Sequence, residues 1–176
     1  MLIVRCALLA FSCLSVASPT AAQGFIPGND LDRYATSIGL EAIPTMEEIA
    51  AGLATGDERA KLGSCSIASY SWAVAGKAAH TLANLTAQSV APYLEADEAS
   101  KKSAQIAAAD ELSIAFEKLT MLRGLRDRAW LSIAECDLTE GRVVQAAAQL
   151  HMLFEHLDPA DGTTYERALR LQQQLY

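Results

Sequence analysis

Residues 129–159 read AWLSIAECDLTEGRVVQAAAQLHMLFEHLDP. Apolar residues recur at spacings of three and four on both sides of Gly141, so the stretch predicts two short helices joined by a tight turn at that glycine. Ala134 and Ala146 are small where two such helices would have to touch. The hairpin, with helices at about 126–139 and 142–156, is expected to be the packing unit on which the rest of the chain is laid.

The flanking sequence has the same character. After the turn at Pro159, Asp161 and Gly162, Thr163 with Glu166 has capping-box spacing and opens a last helix. Upstream, Asn29 can cap a short helix with Leu31, Tyr34, Ala35 and Ile38 on one face, ended by Gly39. Thr45 with Glu48 is a second capping box, opening a helix that carries Ile49 and Leu53 and stops near Gly56, with one more turn at most to Leu62.

A long helix is expected from Ser64 or Ser66 to about Val90. Its apolar side holds Ile67, Tyr70, Val74, Ala78, Leu82 and Leu85, and Pro92 marks its break. Another is expected over 98–123, burying Ile106, Ala109, Leu112, Phe116 and Leu119 and ended by Gly124. Alanine is abundant, aromatic residues make up 6% of the chain, and β-branched strand-like runs are missing. The predicted class is all-α: a helical bundle or a short array of antiparallel helix hairpins.

The first residues read as a secretory leader. Arg5 is followed by a short apolar run over 6–16, and small-residue cleavage options end at Ala17 and at Ala22. The run is too short to span a bilayer comfortably. A lipoprotein reading at Cys13 is the minor alternative. We expect a leader over 1–22 and one helical domain over 23–176, exported to a periplasmic or extracellular compartment. The chain carries 14 Lys+Arg against 21 Asp+Glu, and loss of Arg5 makes it more acidic still. That argues against nucleic acid or anionic lipid as a partner.

Cleavage leaves two of the four cysteines, Cys65 and Cys136. In an oxidising compartment they are expected to pair. The bridge would close a loop of about 70 residues, worth roughly 4 kcal/mol in the chain-entropy model.

The hairpin resembles a single tetratricopeptide repeat. Trp130 takes that family's Trp slot, Ile133 its Leu, Ala134 its Gly and Ala146 its Ala, and Gly141 falls at the inter-helix turn. Leu150 stands in the aromatic slot and Asp137 in the Tyr slot. Leu157-Asp158-Pro159 matches the usual ending one residue late. The resemblance covers residues 129–159 and implies a helix-turn-helix unit, with the final helix as its solvating cap.

Candidate sites are few. His151, Glu155 and Asp158 share a helix face at spacings that could hold a divalent metal, although a solvated polar face explains them more simply. Arg123, Arg126 and Arg128, with Lys118, form the one basic cluster of an acidic chain and could take an anionic ligand or acidic partner. The plainer reading pairs them with Glu117 and Asp127 and with the helix dipole. On the first long helix Tyr70 is expected in the core, while Trp72 points away from it, as an exposed interface anchor or on a second packing face. Asn84-Leu85-Thr86 is a glycosylation sequon inside an expected helix.

No phosphate loop, His-Glu-x-x-His or Gly-x-Ser-x-Gly is present. No cofactor is expected. The function expected is binding of a protein or peptide, ahead of a small metal-dependent or hydrolytic enzyme of the cell envelope.

Overall fold

Two glycines set the topology. Gly63 and Gly141 both have φ +75°, the left-handed region that a Cβ disfavours. In the computed structural model, which describes residues 31–95, 98–157 and 162–175, each closes a helix with the same pair of hydrogen bonds. Gly63 N donates to Ala60 O (2.9 Å) and Ser64 N to Arg59 O (3.0 Å). Gly141 N donates to Leu138 O (3.0 Å) and Arg142 N to Asp137 O (2.7 Å). Each turn satisfies carbonyls that a helix end would otherwise orphan, and reverses the chain within three residues.

The described residues form seven helices and no strand. They are α1 (Leu31–Ser37), α2 (Met46–Lys61), α3 (Cys65–Glu95), α4 (Glu98–Ala107), α5 (Ala109–Thr139), α6 (Val143–His156) and α7 (Gly162–Gln173). The fold is an all-α bundle. α3 packs on both α2 and α5, and α5 packs on both α3 and α6. Two hairpins, α2–α3 and α5–α6, are therefore joined through their long helices. α3 and α5 run antiparallel: Cys65 at the start of α3 is bonded to Cys136 near the end of α5, with Cα atoms 5.5 Å apart. The bridge ties the two glycine turns together.

Close packing rests on small residues facing tryptophans. Gly76 of α3 lies against Ala129 and the Trp130 indole of α5, and a Cβ on it would come within 3.0 Å of the Ala129 Cβ. Gly56 of α2 lies under the Trp72 ring. Along α3 the buried face is mostly alanine: Ala68, Ala75, Ala79 and Ala83, with Leu82 and Val90. Small side chains let helix axes approach and still bury apolar surface. α2 opens with the expected capping box: Thr45 Oγ1 accepts from Glu48 N (3.1 Å), and Glu48 Oε2 accepts from Thr45 N (2.8 Å). α7 packs on α5 and α6, held by Arg167 to the Glu135 carboxylate at 2.8 and 3.0 Å.

Several boundaries and faces differ from those expected. α2 runs through Gly56 to Lys61, because the missing Cβ makes room for Trp72. α5 runs through Gly124 for 31 residues, because its packing against α3 and α6 outweighs a mid-helix glycine of about 1 kcal/mol. The α5–α6 hairpin is thus not a separate unit. α3 continues past Pro92, which is exposed and near the helix end, to Tyr93, which is buried. Gln105 Nε2 donates to the Tyr93 carbonyl (3.1 Å), which helps to satisfy that end.

Tyr70 is 73% exposed, the reverse of the expected core position, and Trp72 only 4%, so of its two expected roles it takes the second packing face, against α2, and not the exposed anchor. Ile67, Val74, Ile106, Phe116 and Ala109 are also exposed. The large apolar residues of early α3 point outward because its alanine face is the one that meets two neighbours. α7 begins at Gly162, which places Thr163 inside the helix rather than ahead of it. The leader over 1–22 with Cys13, the Asn29 cap, and Asp158, Pro159 and Asp161 lie outside the described residues.

Candidate functional site

The basic cluster on α5 divides into three roles. Arg128 pairs with Asp57 of α2, whose Oδ1 also accepts a hydrogen bond from Trp72 Nε1 (3.1 Å). The pair ties α5 to α2 across the Trp72 indole. Arg126 is 5% exposed. Its Nε donates to Asp127 Oδ1 (2.7 Å), its Nη2 donates to the carbonyl of His156 (2.9 Å), and its guanidinium lies 5.0 Å from the centre of the Trp130 ring. A cation on the last carbonyls of α6 suits that helix's dipole, so Arg126 clips α6 onto α5. Arg123, one turn before Arg126, is exposed and has no ion pair or hydrogen bond among the described residues.

Of the expected pairing of this cluster with Glu117 and Asp127, the described residues show Arg126 with Asp127.

Around Arg123 and Arg126 the fold gathers groups from three helices. His80 and Asn84 come from α3, Glu155 and His156 from α6. They line a hollow of about 470 Å³ with Ala83 at its floor. The rings of His80, Trp130 and His156 form a triangle, with centroids 5.8, 5.6 and 5.6 Å apart. Asn84 Nδ2 donates to His80 Nε2 (3.1 Å), which places the ring proton of neutral His80 on Nδ1. That Nδ1 is buried and has no hydrogen-bond partner among the described residues. Burial first, then the nearby Arg126 guanidinium and His156, hold the His80 pKa below the ordinary histidine value. His80 is therefore a neutral wall at pH 7. Glu155 stands at the rim with its carboxylate 3.4 Å from His151 Nε2.

A second hollow, of about 230 Å³, adjoins the first and shares Arg123 with it. Ala87, Ala91 and Leu94 of α3 face Phe116, Leu119 and Arg123 of α5 there. The α3 residues of both hollows, His80, Ala83, Asn84, Ala87, Ala91 and Leu94, recur at three and four and so lie on one helix face. From His80 to Leu94 this face extends about 21 Å at 1.5 Å per residue. The result is one groove between α3 and α5, apolar at Leu94 and Phe116, where Glu95 also lines it, and polar at His80, His156 and Arg123.

Other expected sites do not assemble. Trp72 is buried and serves as a packing and hydrogen-bonding residue. His151 and Glu155 are exposed side by side on α6, and Asp158 is not among the described residues. No group of three His, Cys, Asp or Glu side chains placed to hold a metal occurs among the described residues. The α6–α7 seam has its own hollow of about 340 Å³, where Phe154 and Tyr165 meet edge to face, but it brings no arginine or lysine to its lining.

His156 is not a candidate from the sequence, and Asn84 is one only as a glycosylation sequon. Asn84 pairs with His80 at i, i+4, a spacing visible in the sequence; His156 carried no such signal. No described helix is long and apolar enough to cross a membrane.

Comparison with protein-family models, with curated proteins and with solved structures found no match, so the tetratricopeptide resemblance of residues 129–159 rests on the hairpin residues alone.

Proposed function

We propose that this is an exported helical protein that binds a peptide, or an extended segment of a protein, in the groove between α3 and α5. The observation that carries the reading is the continuity of the groove through Arg123, which lines both the apolar and the polar hollow. Leu94 and Phe116 are exposed at one end, where a monomer keeps large apolar side chains in water unless something covers them. An extended peptide rises about 3.3 Å per residue, so six residues span the groove. The Cys65–Cys136 bridge and the apolar leader-like start support export. The net negative charge disfavours nucleic acid as the occupant.

Selection from a random peptide display library on the immobilised protein tests this. Peptides that bind the wild type and are lost on a Leu94→Asp, Phe116→Asp variant are the expected result. Folding of that variant is checked by circular dichroism. Enrichment no different between the two proteins overturns the groove as the binding surface.

A further inference from the structure

We propose that the polar end of this groove is a carboxylate site, in which Arg123 receives the anionic end of the bound peptide while its apolar side chain lies between Leu94 and Phe116. The proposal deepens the peptide-binding reading and rests on it.

Three observations point to the ligand's charge. Arg126 and Arg128 are tied to acids of this chain, Asp127 and Asp57, but Arg123 has no such partner among the described residues. It stands at the mouth of a hollow whose polar lining comes from three different helices, so the cation is presented rather than solvated on an open face. Behind it lies Arg126, buried and fixed over Trp130, whose charge Asp127 balances.

The positive charge on offer is small. Glu155 is on the same rim, beside His151, Glu95 lines the adjoining hollow, and the two imidazoles are His80, held neutral, and the exposed His156. One free guanidinium with two rim carboxylates suits a monoanion better than a phosphate dianion, which Glu155 and Glu95 would repel more strongly. Guanidinium and carboxylate are also matched in shape, each planar and two-pronged.

The spacing sets the register. From Leu94 to Asn84, opposite Arg123, the α3 face extends about 15 Å, or four to five extended residues. The fitting ligand has an apolar side chain four or five positions before a carboxylate. That carboxylate can be a chain terminus or an acidic side chain, and the test separates the two.

Calorimetric titration uses three peptides: acetyl-Leu-Ser-Ser-Ser-Ser-Ala with a free carboxyl end, the same peptide as its amide, and acetyl-Leu-Ser-Ser-Ser-Ser-Asp amide. A charge-assisted contact predicts that at least one carboxylate peptide binds about tenfold tighter than the neutral amide. Arg123→Gln should remove that preference while leaving the amide's affinity unchanged, and Arg123→Lys should restore part of it. A free-end preference identifies a chain terminus, and preference for the Asp amide identifies a side chain. Equal affinity for all three, or a preference that survives in Arg123→Gln, overturns the carboxylate site but leaves the peptide groove standing. Absence of binding by all three, together with a failed display selection, overturns both.

Discussion

The Trp72 indole occupies the space that a Cβ on Gly56 would need: that atom would lie 2.8 Å from the ring's Cε2 and closer still to Nε1 and Cδ1. Gly124, by contrast, has nothing within 4 Å of its Cβ position. The two mid-helix glycines therefore predict substitutions of opposite sign. Gly56→Ala should destabilise by about 1–3 kcal/mol through overpacking. Gly124→Ala should stabilise by about 0.5–1 kcal/mol, because alanine is the better helix former and fits without contact. Urea unfolding of both variants decides the matter, and a shift in the same direction for the two would falsify the packing argument.

Asp57 links Trp72 to Arg128, and its two bonds are unequal. The ion pair is substantially exposed, at 51% for the arginine side chain, and such pairs contribute less than about 1 kcal/mol. The Trp72 bond lies in the packed seam. Asp57→Ala should therefore cost more than Arg128→Ala, by about 1 kcal/mol. A double-mutant cycle measures the difference. Equal losses in the two single variants would assign the whole effect to the surface pair.

His80 makes stability depend on acidity. Its folded pKa lies below its unfolded value near 6.5, so below that pH the unfolded chain takes up a proton that the folded chain refuses. This contribution is intact above pH 6.5 and is lost as the pH falls from there toward the folded pKa. The melting temperature should drop between pH 7 and pH 5.5 by more in the wild type than in His80→Gln. The groups facing the ring are Arg126 and His156, with Glu155 on the same hollow, so His156→Gln serves as the second control. Parallel pH profiles for all three proteins would remove His80 as the source.

The Cys65–Cys136 bridge closes a loop with a sequence separation of 71. Cys65→Ser and Cys136→Ser should each destabilise by about 2–4 kcal/mol, with no further loss in the double variant. Thermal melts under oxidising conditions check this. Additive losses would show that each sulfur acts through its own packing.

Export predicts a processed N-terminus. Mass spectrometry of protein recovered from the envelope or medium should show a first residue between Ser18 and Gly24. An intact Met1 or a lipidated Cys13 would contradict the leader as read.

Helix class was legible because its signals are local, whereas the break expected at Gly124 falls instead at Ala108, between α4 and α5. The Thr45 capping box and the stops at Gly39 and Gly141 act within one turn of chain. What went unread depends on neighbours. Gly56, Gly124 and Pro92 look like stops in one dimension, yet packing or exposure lets the helix continue through each. Leu82 and Leu85 are buried as expected, but the burying face of early α3 is not legible, because alanine and glycine are quiet in a hydrophobic pattern, whereas Ile67, Tyr70 and Val74 are loud and face outward. The arginine cluster was visible as a run. That Arg123 is the one of the three arginines with no ion pair or hydrogen bond among the described residues, and that His156 of α6 joins it, follows from the antiparallel register of helices far apart in sequence.

The position of the disulfide has a further consequence. It joins the two chain reversals rather than the middles of the helices. The far ends, around Leu94 and Phe116, have no disulfide among the described residues and are joined through the chain of α4, where Gln105 donates to the Tyr93 carbonyl. The long helix pair is in this sense a clothes-peg: pinned at one end by a covalent pivot, and bridged at the other only by the span of α4. Widening at the α4 end would be greatest where the groove is most apolar, so a ligand could enter there without breaking the hairpins, and reduction of the pivot would loosen the grip along the whole length.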